Sequence, residues 1–309
     1  MQSASFIHRT PKSVVFAAAA AIGGFIATVL SEFTVTPMEF APLVGTALWS
    51  ALICSGIVLA IVMLQNILLR KPALIKESIT PVLVGGVVGG AVAGGAAQLF
   101  YSISAEILFS DGITPLLFLL HNVFVRSIAW GMMGGLAALG MSYCIPNLNR
   151  KWAVLGGLIG GIVGCIFFLI ICLFTGDWLG RLLGTAILGA CIGAMIGFVE
   201  QFYRNIWLMV LYDPRNFTQV NLGSQVITVG SGASDTVFVK DVGAKAASFL
   251  VVGDKVRYTD ANGTQSLVPG NKVKVGNVEL VICSKDVQFA PSKFYPMKMS
   301  LAREFMKKS

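Results

Sequence analysis

Charged side chains are scarce in this sequence: they make up 12% of the 309 residues, against 55% hydrophobic. A water-soluble chain of this length carries roughly a quarter of its residues as charges, so a single soluble globular protein is excluded. Histidine is nearly absent, with His8 and His121 the only two. Nothing after residue 121 can therefore activate a hydroxyl in the manner of a catalytic triad, although Ser231, Ser234 and Asp235 lie close together in sequence. The six cysteines form no CxxC pair. Cys54, Cys144, Cys165, Cys172 and Cys191 lie in or beside apolar runs and Cys283 in an alternating one, the positions of thiols that fill core space rather than of a disulfide framework or metal site. The stretch GSGAS lacks the Gly-Lys-Ser/Thr ending of a phosphate-binding loop. Asp254 and Asp260 flank a basic strand and read as turn and surface charges. The net charge of +8 is spread without any Lys/Arg cluster longer than a pair, which favours anionic headgroups over nucleic acid as the partner of the basic residues. No enzyme, cofactor or metal site is expected.

What is present divides in two. Residues 1–203 carry 9 Lys/Arg and 7 Asp/Glu, whereas the 106 residues that follow carry 14 and 8. A lipid-embedded part therefore precedes a soluble part of one small domain. Apolar stretches at 13–31, 43–69, 79–100, about 126–145, 153–173 and 181–199 each approach the ~20 residues that cross a bilayer as a helix. Arg9 and Lys12, then Arg70, Lys71 and Lys76, then Arg150 and Lys151, and finally Arg204 fall on one side of six such spans. Glu32, Glu39, Glu106, Asp111 and Asp177 fall on the other. The bias of basic loops predicts a multi-pass protein of the cytoplasmic membrane with both termini in the cytoplasm. Residues 101–125 are expected as an interfacial or re-entrant segment, so that the fourth span starts near Arg126 and His121 stays at the outer surface. Arg126 and Arg181 would then open the fourth and sixth spans at the outer face, where they snorkel to headgroups or draw an anion or lipid phosphate.

Glycine is abundant where charge is not: 26 of the 34 glycines lie in residues 1–203. Within spans they recur four apart, as at Gly85 and Gly89, Gly156 and Gly160, and Gly189, Gly193 and Gly197. That GxxxG spacing puts side-chain-free positions on one helix face and predicts a tightly packed bundle. Double glycines start at Gly23, Gly85 and Gly156, 62 and 71 residues apart, which reads as three duplicated hairpins.

From Ile206 the pattern changes. Short runs rich in Val, Ile, Phe and Tyr (QVITVG, TVFVKD, ASFLVVG, KVRYTDANG, TQSLVPG, NKVKVG, NVELVIC) alternate with turn residues every 8–12 positions, the pattern of an antiparallel sandwich over 205–285. Residues 286–309 form a basic tail in which Met297, Leu301, Phe305 and Met306 share one helical side. It reads equally as an amphipathic foot on lipid, a docking peptide or a frayed end.

The opening W-L-x-V-L of 207–211, I-T-V-G of 227–230 followed by T-V-F-V, N-G-T of 262–264 and the closing L-x-P-G-N-K-V-K-V-G-N-V-E-L-V-I of 267–282 resemble, in their order, the forkhead-associated (FHA) domain. The whole arrangement is similar to bacterial FHA-containing integral membrane proteins. The resemblance implies an FHA β-sandwich that binds phosphothreonine through its loops. It also implies where the grip belongs, and there this chain departs from the family. The phosphate-holding arginine corresponds to Ser231, and the serine and histidine of the next loop to Ala244 and Ala247. Lys245, Asn262, Gly263 and Thr264 are kept. Losing two charge-assisted donors costs roughly 3–5 kcal/mol, or about a hundredfold or more in affinity.

The expected function is accordingly a non-enzymatic membrane-anchored scaffold. Its degenerate FHA domain would bind a cytoplasmic or membrane protein without phosphate, in contact with membrane lipids and with self-association left open. The alternative is a channel or transporter regulated by that domain.

Overall fold

A computed structural model describes residues 11–34, 41–109, 114–213 and 216–287. The chain divides into two compact units that meet at the Tyr203–Arg204 bond. Among the described residues the first has six helical spans long and apolar enough to cross a membrane, built on α1 (Lys12–Thr34), α2 (Pro42–Leu68), α3 (Gly89–Phe109), α4 (Pro115–Met141), α5 (Arg150–Thr175) and α6 (Asp177–Phe202), the third span beginning upstream of α3 at Lys76. A π-helical segment, Val82–Val88, leads into α3. Their starts follow local chemistry. Pro42 and Pro115 occupy first-turn positions where no N–H is needed. Thr114 Oγ1 and Asn149 Oδ1 accept from the backbone N–H groups of Leu117 and Trp152. Gly176, at φ +75°, is the only residue between α5 and α6, a reversal that a side chain would hinder.

The even-numbered helices α2, α4 and α6 touch one another at the centre, and each odd helix lies between two of them: α1 between α2 and α6, α3 between α2 and α4, α5 between α4 and α6. The double glycines explain this arrangement. Successive residues of a helix project about 100° apart, so two adjacent glycines can admit two different neighbours. A Cβ added to the first of each pair would strike the helix that follows: Gly23 the Gly56 carbonyl of α2, Gly85 Gly140 of α4, Gly156 Val199 of α6. A Cβ on the second would strike the even-numbered helix on the other side, the preceding one for Gly86 (Ser55 of α2) and Gly157 (the Gly134 carbonyl of α4) and the last, α6, for Gly24 (the Thr185 carbonyl). Three hairpins thus repeat one packing rule.

The last helix closes on the first in an antiparallel seam. Lys12 pairs with Glu200 at one end, and Arg181 holds both carboxylate oxygens of Glu32 at the other, at 2.8 and 2.9 Å. Between them Thr28 Oγ1 donates to Thr185 Oγ1 at 2.7 Å, and Gly189, Gly193 and Gly197 lie against the α1 backbone at Ala20, Phe16 and Ser13.

Two expectations need correction here. Residues 101–125 do not form a re-entrant segment: α3 runs on to Phe109, and α4 starts at Pro115 and passes through Arg126 without a break. The run of Leu116–Leu120 behind a proline and a threonine cap is a sound helix start that a lone arginine does not prevent. His121 is accordingly buried between α3 and α4, 2.7 Å from Ser104 Oγ and beside the Tyr101 ring, rather than at a surface. All six cysteines are free, with Cys54, Cys165 and Cys283 buried.

The second unit contains two sheets. One has the order β2-β1-β9-β8, from β1 (Ile206–Asp213), β2 (Asn216–Leu222), β8 (Lys272–Val275) and β9 (Val278–Ser284). The other has the order β4-β3-β5-β6-β7, from β3 (Ile227–Gly230), β4 (Val237–Phe238), β5 (Ala247–Val252), β6 (Lys255–Asp260) and β7 (Gly263–Leu267). Leu208, Val210, Ile227, Val229, Phe249, Val256, Leu280 and Ile282 are buried on alternate positions, but β1 and β9 are buried on both faces, Trp207, Met209, Val281 and Cys283 forming a second cluster with Leu211 and Phe217 packed against it. Two details depart from the strand reading of the sequence. β2 was not legible because polar residues interrupt its alternation, yet it pairs along all of β1. The two-residue β4 runs parallel to β3. The 286–309 tail lies outside the described residues apart from Asp286 and Val287.

The glycine rule predicts a contrast within the bundle. Gly157→Ala places a methyl on the Gly134 backbone and should destabilise by about 1–3 kcal/mol. Gly95→Ala meets only ordinary contact with Ala47 and should stay within about 0.5 kcal/mol. Thermal unfolding of the two variants in one detergent compares them.

Candidate functional site

The positions expected to face a peptide are gathered at one end of the second sheet. Val229, Ala247, Asp260 and Gly263 form one row across four strands, so the loops after β3 and before β5 and the β6–β7 turn emerge side by side. Ser231, Ala244, Lys245, Asn262 and Thr264 are exposed there. Ala247 is not a loop residue: it is the first residue of β5 and fully buried, a place where a methyl fits the core. Gly263 and Thr264 belong to β7, with Gly263 at φ +130°.

The centre of this end is a residue the sequence reading set aside. Asp235 is 0% exposed. Its Oδ2 accepts from the backbone N–H of Gly232 at 2.8 Å and of Lys245 at 3.1 Å, tying the two loops together. A Cβ at Gly230 would collide with that oxygen, the Lys245 nitrogen and the Gly243 carbonyl, so the loops can close this tightly only over glycine. Ser231 N–H donates to Gly243 O at 3.3 Å, and Lys245 itself has φ +51°. Converging backbone N–H groups of this kind make anion sites. Here the anion is internal.

Asn262 serves its own turn. Its N–H donates to Asp260 Oδ1 at 2.8 Å, while Tyr258 O–H donates to Asp260 Oδ2 at 2.9 Å. These bonds, the Tyr258 one foremost, hold the Asp260 carboxyl below its usual range. Burial first, and then Asp260, push the Tyr258 hydroxyl up to about 12.

The two arginines singled out in the sequence meet at one cavity in the bundle, of about 480 Å³. Arg181 lines it while bonded to Glu32. Arg126 lines it from α4 and makes no ion pair among the described residues. Among the described residues no group of three His, Cys, Asp or Glu side chains comes together as a metal site. Compared with protein families, with curated proteins and with solved structures, the chain matches none.

Two expected outcomes follow. Asp235→Ala takes the shared acceptor from the Gly232 and Lys245 N–H groups, at about 1–3 kcal/mol for the two charge-assisted bonds; hydrogen exchange of the full chain should show the Gly232 and Lys245 amides exchanging about tenfold faster or more. The Tyr258 ring should stay protonated well above pH 10 in the folded protein. Its contribution to stability is then complete below its unfolded pKa of about 10 and is lost as pH rises through the folded value. Because burial is the larger cause, Asp260→Asn should lower that titration, read by ring NMR shifts, without returning it to the usual value.

Proposed function

We propose that the chain is a multi-pass protein of a bacterial cytoplasmic membrane, both termini inside, whose FHA-like β domain binds a protein partner without phosphate. The observation that carries this reading is the Asp235 carboxylate, which takes the Gly232 and Lys245 N–H groups for itself. A phosphate dianion approaching the same loops would meet a carboxylate of like charge and no arginine, since Ser231 stands at that position. The loops are ordered by their own acid and need no ligand to assemble. The orientation rests on charge: Lys12, Arg70, Lys71, Lys76, Arg150 and Lys151 sit at the end of the bundle shared by the start of α1 and the end of α6, and Glu32 and Glu106 toward the other. Trp152 stacks on Tyr203 at 4.6 Å near the first end, a pairing suited to an interfacial belt. The reading is of a scaffold, with crosslinking in native membranes as the route to its partner.

A second reading, a solute pathway regulated by the β domain, is favoured only by the cavity that Arg126 and Arg181 line. Anion flux through reconstituted liposomes that is lost on changing Arg126 would promote it.

Matched phosphorylated and unphosphorylated threonine peptides, titrated into the full chain in nanodiscs, test the first reading. Equal affinities are expected. Ser231→Arg with Ala244→Ser should introduce a phosphate preference that rises by about tenfold or more when Asp235→Asn is added. Low-micromolar, phosphate-dependent binding by the unaltered chain would overturn it.

A further inference from the structure

The bundle cavity lies toward the end at which α2, α4 and α6 begin, and it draws its walls from five of the six helices. Its volume of about 480 Å³ is that of a small-molecule site. The space is bordered by small residues, Ala93 and Ala97 on α3 and Ala129 on α4, while Gly94 brings α3 tight against Ser50 and Thr46 of α2. One wall is held open deliberately, because Gly184 yields to the Phe168 ring, which stands edge-on to Trp130 at 4.3 Å and 63°.

The charge in the cavity is unbalanced. Arg181 is neutralised by the bidentate Glu32, so its positive charge is already met. Arg126 has no such partner among the described residues, and it sits eleven residues beyond Pro115, about 16 Å along the helix. The residues before it on the outer side of α4, including Leu116, Leu119, Leu120 and Phe124, are large, apolar and exposed. Arg126 itself is exposed, and it shares the cavity with Thr46, Cys172 and Arg181, which lie close to the ends of α2, α5 and α6, so it stands at the mouth of the cavity near that end of the bundle. At that mouth its charge is open to an anion arriving from the interface. Gln98 and Asn122 supply side-chain amides beside it, and Trp49 and Trp130 supply apolar walls.

We propose that this cavity binds an amphiphilic oxyanion of single charge. Two oxygens of a phosphodiester would meet the planar fork of Arg126, with the apolar body against Trp49, Trp130 and Phe168. One unmatched positive charge selects a monoanion, and the aromatic walls select an apolar body over free inorganic phosphate. The same chemistry is offered by a membrane phospholipid and by a soluble phosphodiester. The proposal is independent of what the β domain binds.

The test uses the full chain in phosphatidylcholine nanodiscs. Dibutyl phosphate is titrated by calorimetry, with tributyl phosphate as its uncharged counterpart. Phosphatidylglycerol is offered in a second nanodisc preparation and its retention read by native mass spectrometry. Saturable one-to-one binding of either anion is expected. Arg126→Gln should weaken it by about ten- to a hundredfold, Arg126→Lys less, and Ala97→Phe should abolish it by filling the space. Retention of phosphatidylglycerol alone assigns the site to lipid, and binding of dibutyl phosphate alone assigns it to a soluble ligand. Neither anion binding, tributyl phosphate binding as tightly, or affinity unchanged in both Arg126→Gln and Ala97→Phe would overturn the proposal. Should Arg126→Gln fail to fold, Arg126→Lys and Ala97→Phe decide it between them.

Discussion

Close approach of backbone to backbone is the condition on which the helical unit depends. Between apolar helices in lipid the hydrophobic effect offers no net attraction, and what remains is dispersion, weak C–H contacts and a few hydrogen bonds. Those forces need short range. The paired glycines at Gly23–Gly24, Gly85–Gly86 and Gly156–Gly157 provide it toward two neighbours at once, and the rest of the bundle is arranged around those contacts. The α1–α6 seam adds the polar fastening, with Lys12 and Glu200 at one end and Glu32 and Arg181 at the other.

The same economy of side chains that tightens the bundle opens the cavity. Where α3 presents Ala93 and Ala97, the helices leave space between them, and Arg126 lines it. In the β domain the balance is reversed. Asp235 fills the position where the two loops converge and accepts from one backbone N–H of each, so that end of the sheet is closed by its own carboxylate while the side chains of Lys245 and Asn262 remain outside.

Features encoded by short-range pattern were legible in the chain. The six helices follow from apolar runs of sufficient length, the hairpin repeat from glycine spacing, and most strands from alternation between turns. What escaped depends on residues distant in sequence. The start of α4 was misjudged because Arg126 reads as a boundary when the α3 residues facing it are unknown. The cavity requires side chains from five helices. Asp235 acquires its meaning only through Lys245, ten residues on, and β2 only through its pairing with β1. Ser231, Ala244, Lys245 and Asn262 lie at one end of the sheet, but Ala247 belongs to the core, since sequence alone does not show where β5 begins.

The glycine pairs carry one more implication. In each hairpin the first glycine serves the contact inside the hairpin, and the second serves the even-numbered helix of the hairpin before it. A single such hairpin therefore holds both halves of the joint, one to keep itself folded and one to receive a copy of itself. Three separate copies could close the same circle by association alone. Joining them in one chain changes a concentration-dependent trimer into an intramolecular fold, and frees each copy to diverge, as the unequal helices already record.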